Sequence, residues 1–192
     1  MHSAGFESSR RSERAEAGFS IIEVLVSVVL LMVVALGVAQ LFALGTSANF
    51  RARTQTSTSI LAAQKMEDLR ALAWGFDALG LPFTDVSTDL TTPLPTGGGN
   101  GLNPSPAGAL TTDTAGYVDY LDIHGAWIDP ANQDQAAYVR RWSITPLPTN
   151  PNNTLIFQVR VIPRTQVAGA DAAGVRAMEE TTIFSVKTRK AP

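Results

Sequence analysis

Cysteine is absent from the 192 residues, which excludes disulfide scaffolds, thiolate metal sites and cysteine nucleophiles. Histidine is almost absent as well. His2 and His124 are the whole supply, so imidazole chemistry has little to draw on. Charged residues make up 17% of the chain, where about a quarter is usual for a soluble domain. The formal net charge of -2 argues against a general nucleic-acid binder, which is normally basic. The length suits one ordinary domain, or a smaller domain with an added element, rather than two full cores.

The missing charge has an address. No charged residue lies between Glu23 and Arg51, and residues 74–130 contain neither lysine nor arginine. That second stretch carries Asp77, Asp85, Asp89, Asp113, Asp119, Asp122 and Asp129, a net charge of -7. Residues 131–192 return to +4, residues 19–73 stand at +1, and residues 1–18 balance three arginines, Arg10, Arg11 and Arg14, with Glu7, Glu13 and Glu16.

The stretch 19–44, FSIIEVLVSVVLLMVVALGVAQLFAL, is apolar or glycine apart from Ser20, Glu23, Ser27 and Gln40. At about 1.5 Å per residue it can cross a hydrocarbon core of about 30 Å. Apolar on every side, it reads as a membrane helix over residues 19–45 and not as an amphipathic surface helix. Its position behind an arginine-containing leader suits insertion with the N-terminus in the cytoplasm. Helical signals persist beyond it: Ala62, Met66, Leu69 and Ala73 fall at i, i+4, i+7 and i+11. Residues 46–73 are therefore expected to continue the helix as an amphipathic half. Thr54, Gln55, Thr56, Ser57, Thr58 and Ser59 have mediocre helix propensity and predict a stretch that depends on packing.

Glycine, proline, threonine and serine dominate residues 78–108, with TGGGNGLNPSP at the centre, a composition of turns and exposed loop. No lysine follows these glycines, so a phosphate-cradling loop is not indicated. Three later segments alternate as half-buried strands: YVRRWSI over residues 138–144, TLIFQVRVI over 154–162 and TTIFSVKTR over 181–189. The turn-rich TPLPTNPNN between the first two suits an antiparallel connection. A small antiparallel β domain is expected over residues 74–192, with residues 74–130 as its Gly/Pro-rich acidic loop region, and the amphipathic half-helix covering a sheet face that bears Phe157, Val159, Phe184 and Val186 makes the chain α+β.

Glu23 is the most informative residue. A carboxylate inside a spanning helix costs about 2.5 to 3.5 kcal/mol on insertion scales and normally requires a partner or a purpose. Its context, Gly18 followed by FSIIEVLVS after a short polar leader, resembles the cleavage and methylation segment of the type IV pilin superfamily. The resemblance implies a long N-terminal helix packed on a small antiparallel sheet. It also implies cleavage between Gly18 and Phe19 by a membrane prepilin peptidase, N-methylation of Phe19, and assembly through packed helices with other pilin or pseudopilin subunits on an inner-membrane platform. After cleavage the Phe19 ammonium would sit in apolar surroundings, where the Glu23 carboxylate of a neighbouring subunit offsets part of its desolvation and sets axial register. The C-terminal domain would be periplasmic before entering a pilus or pseudopilus. The segment ILAAQKMEDLRALAW and the later strands are similar to the minor pilin V or pilus-modification group, and also to minor pseudopilins of type II secretion.

Other classes find less. His124 in DYLDIHGAW is a lone histidine among aromatic residues, so no catalytic residue, cofactor or metal site is assigned. Asp113, Asp119, Asp122 and Asp129 lack the loop spacing of a calcium hand; a solvated acidic loop, or a face for a basic partner, suits them better. Asn152, Asn153 and Thr154 match a glycosylation sequon but read as turn chemistry. An ordinary secretory signal ending at Gly45 would leave a soluble periplasmic domain starting at Thr46, but its apolar part is too long and contains a glutamate. A DNA-uptake filament would need a basic face from Arg140, Arg141, Arg160, Arg164, Arg176, Lys187, Arg189 and Lys190, which strand alternation scatters over two faces.

Overall fold

The computed structural model describes residues 18–173 and 177–189. The leader charges, His2, Arg176 and Lys190 therefore lie outside the described residues. The chain falls into two compact units, Met1–Ser47 and Ala48–Pro192. Helix α1, Ile21–Ala71, begins in the first and ends in the second. The Ser20 carbonyl opens it, accepting from the backbone N–H of Glu23 at 3.0 Å and Val24 at 3.2 Å. Valine and isoleucine are mediocre helix formers in water, but in hydrocarbon the helix is what satisfies every backbone group internally. Residues 21–50 are exposed on all sides, and α1 is long and apolar enough to cross a membrane.

In the second unit the hydroxyl-rich stretch of α1 stays helical. Thr54, Thr56 and Ser59 donate back to the carbonyls of Phe50, Ala52 and Gln55. Thr58 is buried and bonds the Glu179 carbonyl at 3.2 Å and the Thr181 hydroxyl at 2.8 Å. At the other end, Lys187 donates to the carbonyl of Arg70 at 2.6 Å and to that of Leu72, serving carbonyls that a helix terminus leaves without intrahelical partners.

The sheet of this unit has five antiparallel strands in the order β6-β5-β7-β8-β9. These are β5 Val118–Leu121, β6 Trp127–Ile128, β7 Tyr138–Pro146, β8 Thr154–Pro163 and β9 Thr181–Thr188. The two-stranded pairs β1 Trp74–Phe76 with β2 Pro82–Thr84, and β3 Thr88–Asp89 with β4 Thr96–Gly97, precede it. A long N-terminal apolar helix followed by a small antiparallel sheet is the α+β layout expected from the sequence. Leu61, Ala62, Met66 and Leu69 of α1 pack with Trp142, Ile144, Phe157, Val159 and Val161 in the main core. A smaller cluster of Val118, Tyr120, Ala136 and Val139 includes Val167 of helix α2, Arg164–Ala173, at its border.

Two expectations about this packing are corrected. Ala73 lies beyond the end of α1 and is exposed, so the buried stripe stops at Leu69. Phe184 and Val186 are 67% and 61% exposed and are not under the helix. Register explains this. Ile183 stands opposite Val159 and Ser185 opposite Phe157, so it is the odd-numbered residues of β9 that share the covered face. Thr181 and Lys187, both odd, carry the hydrogen bonds to Thr58 and to the end of α1, and these polar anchors choose the face against the more apolar alternative.

The region read as exposed loop is only partly so. Leu90 and Leu102 within it are buried in the main core, as are Ala109 and Tyr117 just after it, and the Tyr117 hydroxyl donates back to the carbonyls of Asn103 and Pro104 at 3.0 and 3.2 Å. Glycine is needed where this segment doubles back: Gly101 has φ +48°, and a Cβ there would lie 2.6 Å from the Asp85 carbonyl oxygen.

Candidate functional site

The residues singled out for processing lie at the start of the described chain. Gly18 and Phe19 precede the first turn of α1, with Phe19 83% exposed and open space around Gly18. Glu23 is in that first turn and exposed, and a carboxylate there is favourably placed for the positive end of the helix dipole. Phe19 and Glu23 are four residues apart. Ser27 donates its hydroxyl to the Glu23 carbonyl at 2.7 Å, so its side chain needs no outside partner in an apolar setting. The segment offers a residue without a side chain, Gly18, a phenylalanine next to it, and one carboxylate in a run that carries no other charge before Arg51.

The remaining charges are concentrated where sequence reasoning did not place them. Arg140, Arg141 and Arg160 form no basic face; all three are buried. Neighbouring positions on β7 send Arg140 and Arg141 to opposite faces. On the α1 side, Asp119 of β5 receives Lys65 at 2.8 Å and Arg140 at 2.7 Å. Arg140 also donates to the mid-helix carbonyl of Leu61 at 3.0 Å, and Lys65 donates to the Leu90 carbonyl. The Lys65 ammonium sits 4.4 Å from the Trp142 ring centroid. Burial pushes the Lys65 pKa down, against the opposing pull of Asp119. On the other face Arg141 meets Asp113 at 2.8 Å and Asp171 at 2.9 Å, while Arg160 meets Asp171 at 3.3 Å and Glu180 at 2.9 Å. Burial and the hydrogen bond to Asp113 push the Tyr120 hydroxyl up to about 12.

The acidic segment thus docks in part on the chain's own basic strands. Asp122 and Asp129 serve turns instead, accepting from the backbone N–H of His124 and Ala126, and of Ala131, each at 2.8 Å. His124 is exposed in that turn. Each aspartate considered for calcium has its own separate work, and no group of three or more metal-ligating side chains occurs among the described residues.

A pH dependence follows from Glu180. Burial raises its pKa, but hydrogen bonds from Arg160, the Ala177 N–H and Thr182, with the Arg160 charge, outweigh this and hold it below its ordinary value. A depressed carboxylate contributes stability that is present above its unfolded value of about 4.5 and is lost as pH falls through the folded value. The melting temperature should therefore fall on acidification below about pH 4.5, and Glu180→Gln should flatten that part of the profile. Circular dichroism melts at stepped pH check this; superimposable profiles of the two proteins would contradict it.

The prokaryotic N-terminal methylation motif matches the chain over residues 14–39. No curated protein and no solved structure matches it. The matched stretch contains Gly18, Phe19 and Glu23 together with the first part of α1. The match supports a type IV pilin-like, prepilin-type chain processed by prepilin peptidase.

Proposed function

We propose that this chain is a minor pilin, processed between Gly18 and Phe19, methylated on the new Phe19 amino group, and assembled into or priming a type IV pilus-type filament. Residues 19–45 would anchor it in the inner membrane before assembly, with residues 46–73 and the sheet domain on the periplasmic side. Its role is structural, with no reaction of its own. The observation that carries this reading is the methylation-motif match over residues 14–39, with Gly18, Phe19 and Glu23 inside it.

Each residue has a physical task in this scheme. Gly18 leaves the scissile bond unobstructed. Phe19 supplies the amino group, and Glu23 supplies the opposite charge that makes its burial among apolar helices tolerable. Since the leader charges balance, the apolar run itself would dominate insertion. A secretory cleavage before Thr46 is disfavoured because the apolar region is too long for an ordinary signal and contains Glu23.

Gly18→Leu tests the proposal. A branched side chain at the scissile position should block cleavage, so the protein should accumulate in the membrane with its leader attached, as a band of lower mobility on a high-resolution gel. Normal maturation of Gly18→Leu would remove the prepilin reading.

A further inference from the structure

The sheet ends in two unlike edges. At one, β6 is only Trp127–Ile128, with Pro130 just beyond it. At the other, β9 runs the length of Thr181–Thr188 and pairs with β8 on one side. Register fixes which of its backbone groups are left over. The Arg189 N–H donates to the carbonyl of Asn153, directly opposite, at 2.8 Å, so in the antiparallel ladder that follows the odd-numbered residues of β9 turn N–H and C=O toward β8. Thr182, Phe184, Val186 and Thr188 point theirs outward, and these main-chain groups bond to nothing else among the described residues.

Exposed strand edges are usually guarded by proline, by an outward charge or by a bulge. β9 contains no proline, its register with β8 is unbroken from Thr181 to Thr188, and its one charge, Lys187, is turned to the end of α1. The side chains at the outward positions are apolar where it matters. Phe184 and Val186 lie exposed on the face away from α1, where Val186 stands beside the half-buried Ile156 of β8. A row of free donors and acceptors at strand spacing is matched by another strand. A second copy fits poorly. Two β9 strands paired antiparallel are related by a two-fold axis perpendicular to the sheet, which reverses α1 of one copy against the other where it packs on the sheet. Copies inserted through α1 in one membrane cannot meet this way.

We propose that β9 takes up, as a further antiparallel strand of this sheet, an extended segment of another polypeptide with apolar residues at two alternate positions, opposite Phe184 and Val186. The edge supplies the main-chain bonds, and aromatic and β-branched pairs across it supply the selectivity. The edge belongs to the unit Ala48–Pro192 and does not depend on processing at Gly18.

The probe is a heptapeptide in which valine alternates with N-methylated threonine, blocked at both ends, so that it pairs through its valine edge alone. Added to the full chain, ¹⁵N-labelled in detergent micelles, it should slow hydrogen exchange at the Phe184 and Val186 amides saturably and at least about tenfold. The Ile183 and Ser185 amides, already bonded to β8, should hardly change. The same peptide with every nitrogen methylated should have no effect. Val186→Pro removes one outward N–H without touching the β8 ladder, and Phe184→Lys installs the usual guard; both should keep the wild-type melting temperature and lose the slowing at the remaining outward amide. No slowing, equal slowing by the fully methylated peptide, or slowing that persists in either folded variant would overturn the proposal. So would protection of Phe184 and Val186 in the free chain that grows with its concentration, which would give the edge to a second copy.

Discussion

Replacing Glu23 with valine is expected to leave membrane insertion intact and to remove the protein from assembled filaments. Insertion should survive because the substitution takes a carboxylate out of the apolar stretch, relieving a penalty of about 2.5 to 3.5 kcal/mol at most. Assembly should fail for the opposite reason. In the proposed filament the Phe19 ammonium of one subunit lies against Glu23 of its neighbour, and deleting one member of a buried pair strands the other at a cost of about 3 to 5 kcal/mol. The amount recovered in sheared filaments, read by immunoblot against the membrane pool, should fall at least about tenfold. Incorporation at the wild-type level would show that the carboxylate does not pair in trans.

The second large effect concerns the sheet domain. Leu69 is 0% exposed in the main core, on the same stripe of α1 as Ala62 and Met66. Leu69→Asp loses about 1.5 to 3 kcal/mol of side-chain burial and adds a charge with no partner. A loss of several kcal/mol is comparable to the whole stability of a domain this size, so the variant should unfold or melt about 10 to 20 °C lower, on the scale of about 2 to 4 °C per kcal/mol. Glu67 is the control two residues away. Its side chain is 70% exposed and among the described residues pairs with Arg70 alone, at 3.0 Å, so Glu67→Ala should change stability by about 0.5 kcal/mol or less. Thermal melts of residues 48–192 and of the full chain in detergent should agree. Equal melting temperatures for the two variants would show that α1 does not dock through Leu69.

Much of this architecture was legible because it rests on local patterns. An uncharged run long enough to span a bilayer, a stripe at helical spacing and three alternating segments each announce one element. The phase of β9 was not legible. Phe184 and Val186 form the more apolar alternate set, and only the long-range bonds of Thr181 to Thr58 and Lys187 to the end of α1 select the other. The buried ion networks escaped for a related reason: which aspartate meets which arginine depends on strand register between distant residues. Signals were nevertheless present. Adjacent arginines in YVRRWSI must point to opposite faces of a strand, and the -7 of residues 74–130 faces the +4 of residues 131–192. Lys65 carried no signal at all, since a lysine on an amphipathic helix ordinarily reads as solvated.

The processing segment stands differently. Gly18, Phe19 and Glu23 were visible as types and spacing, and their placement before and within the first turn of α1 adds geometry but no side-chain partner among the described residues. In the proposed scheme their roles belong to the peptidase-bound and assembled states, where the surrounding groups would come from other molecules.

Intact-mass analysis of the protein isolated from its native membrane tests the central claim most directly. The account predicts a mature chain that starts at Phe19 and carries one added methyl group on its amino terminus. A mature chain that starts at Thr46 would contradict it and establish a secreted domain released from an ordinary signal.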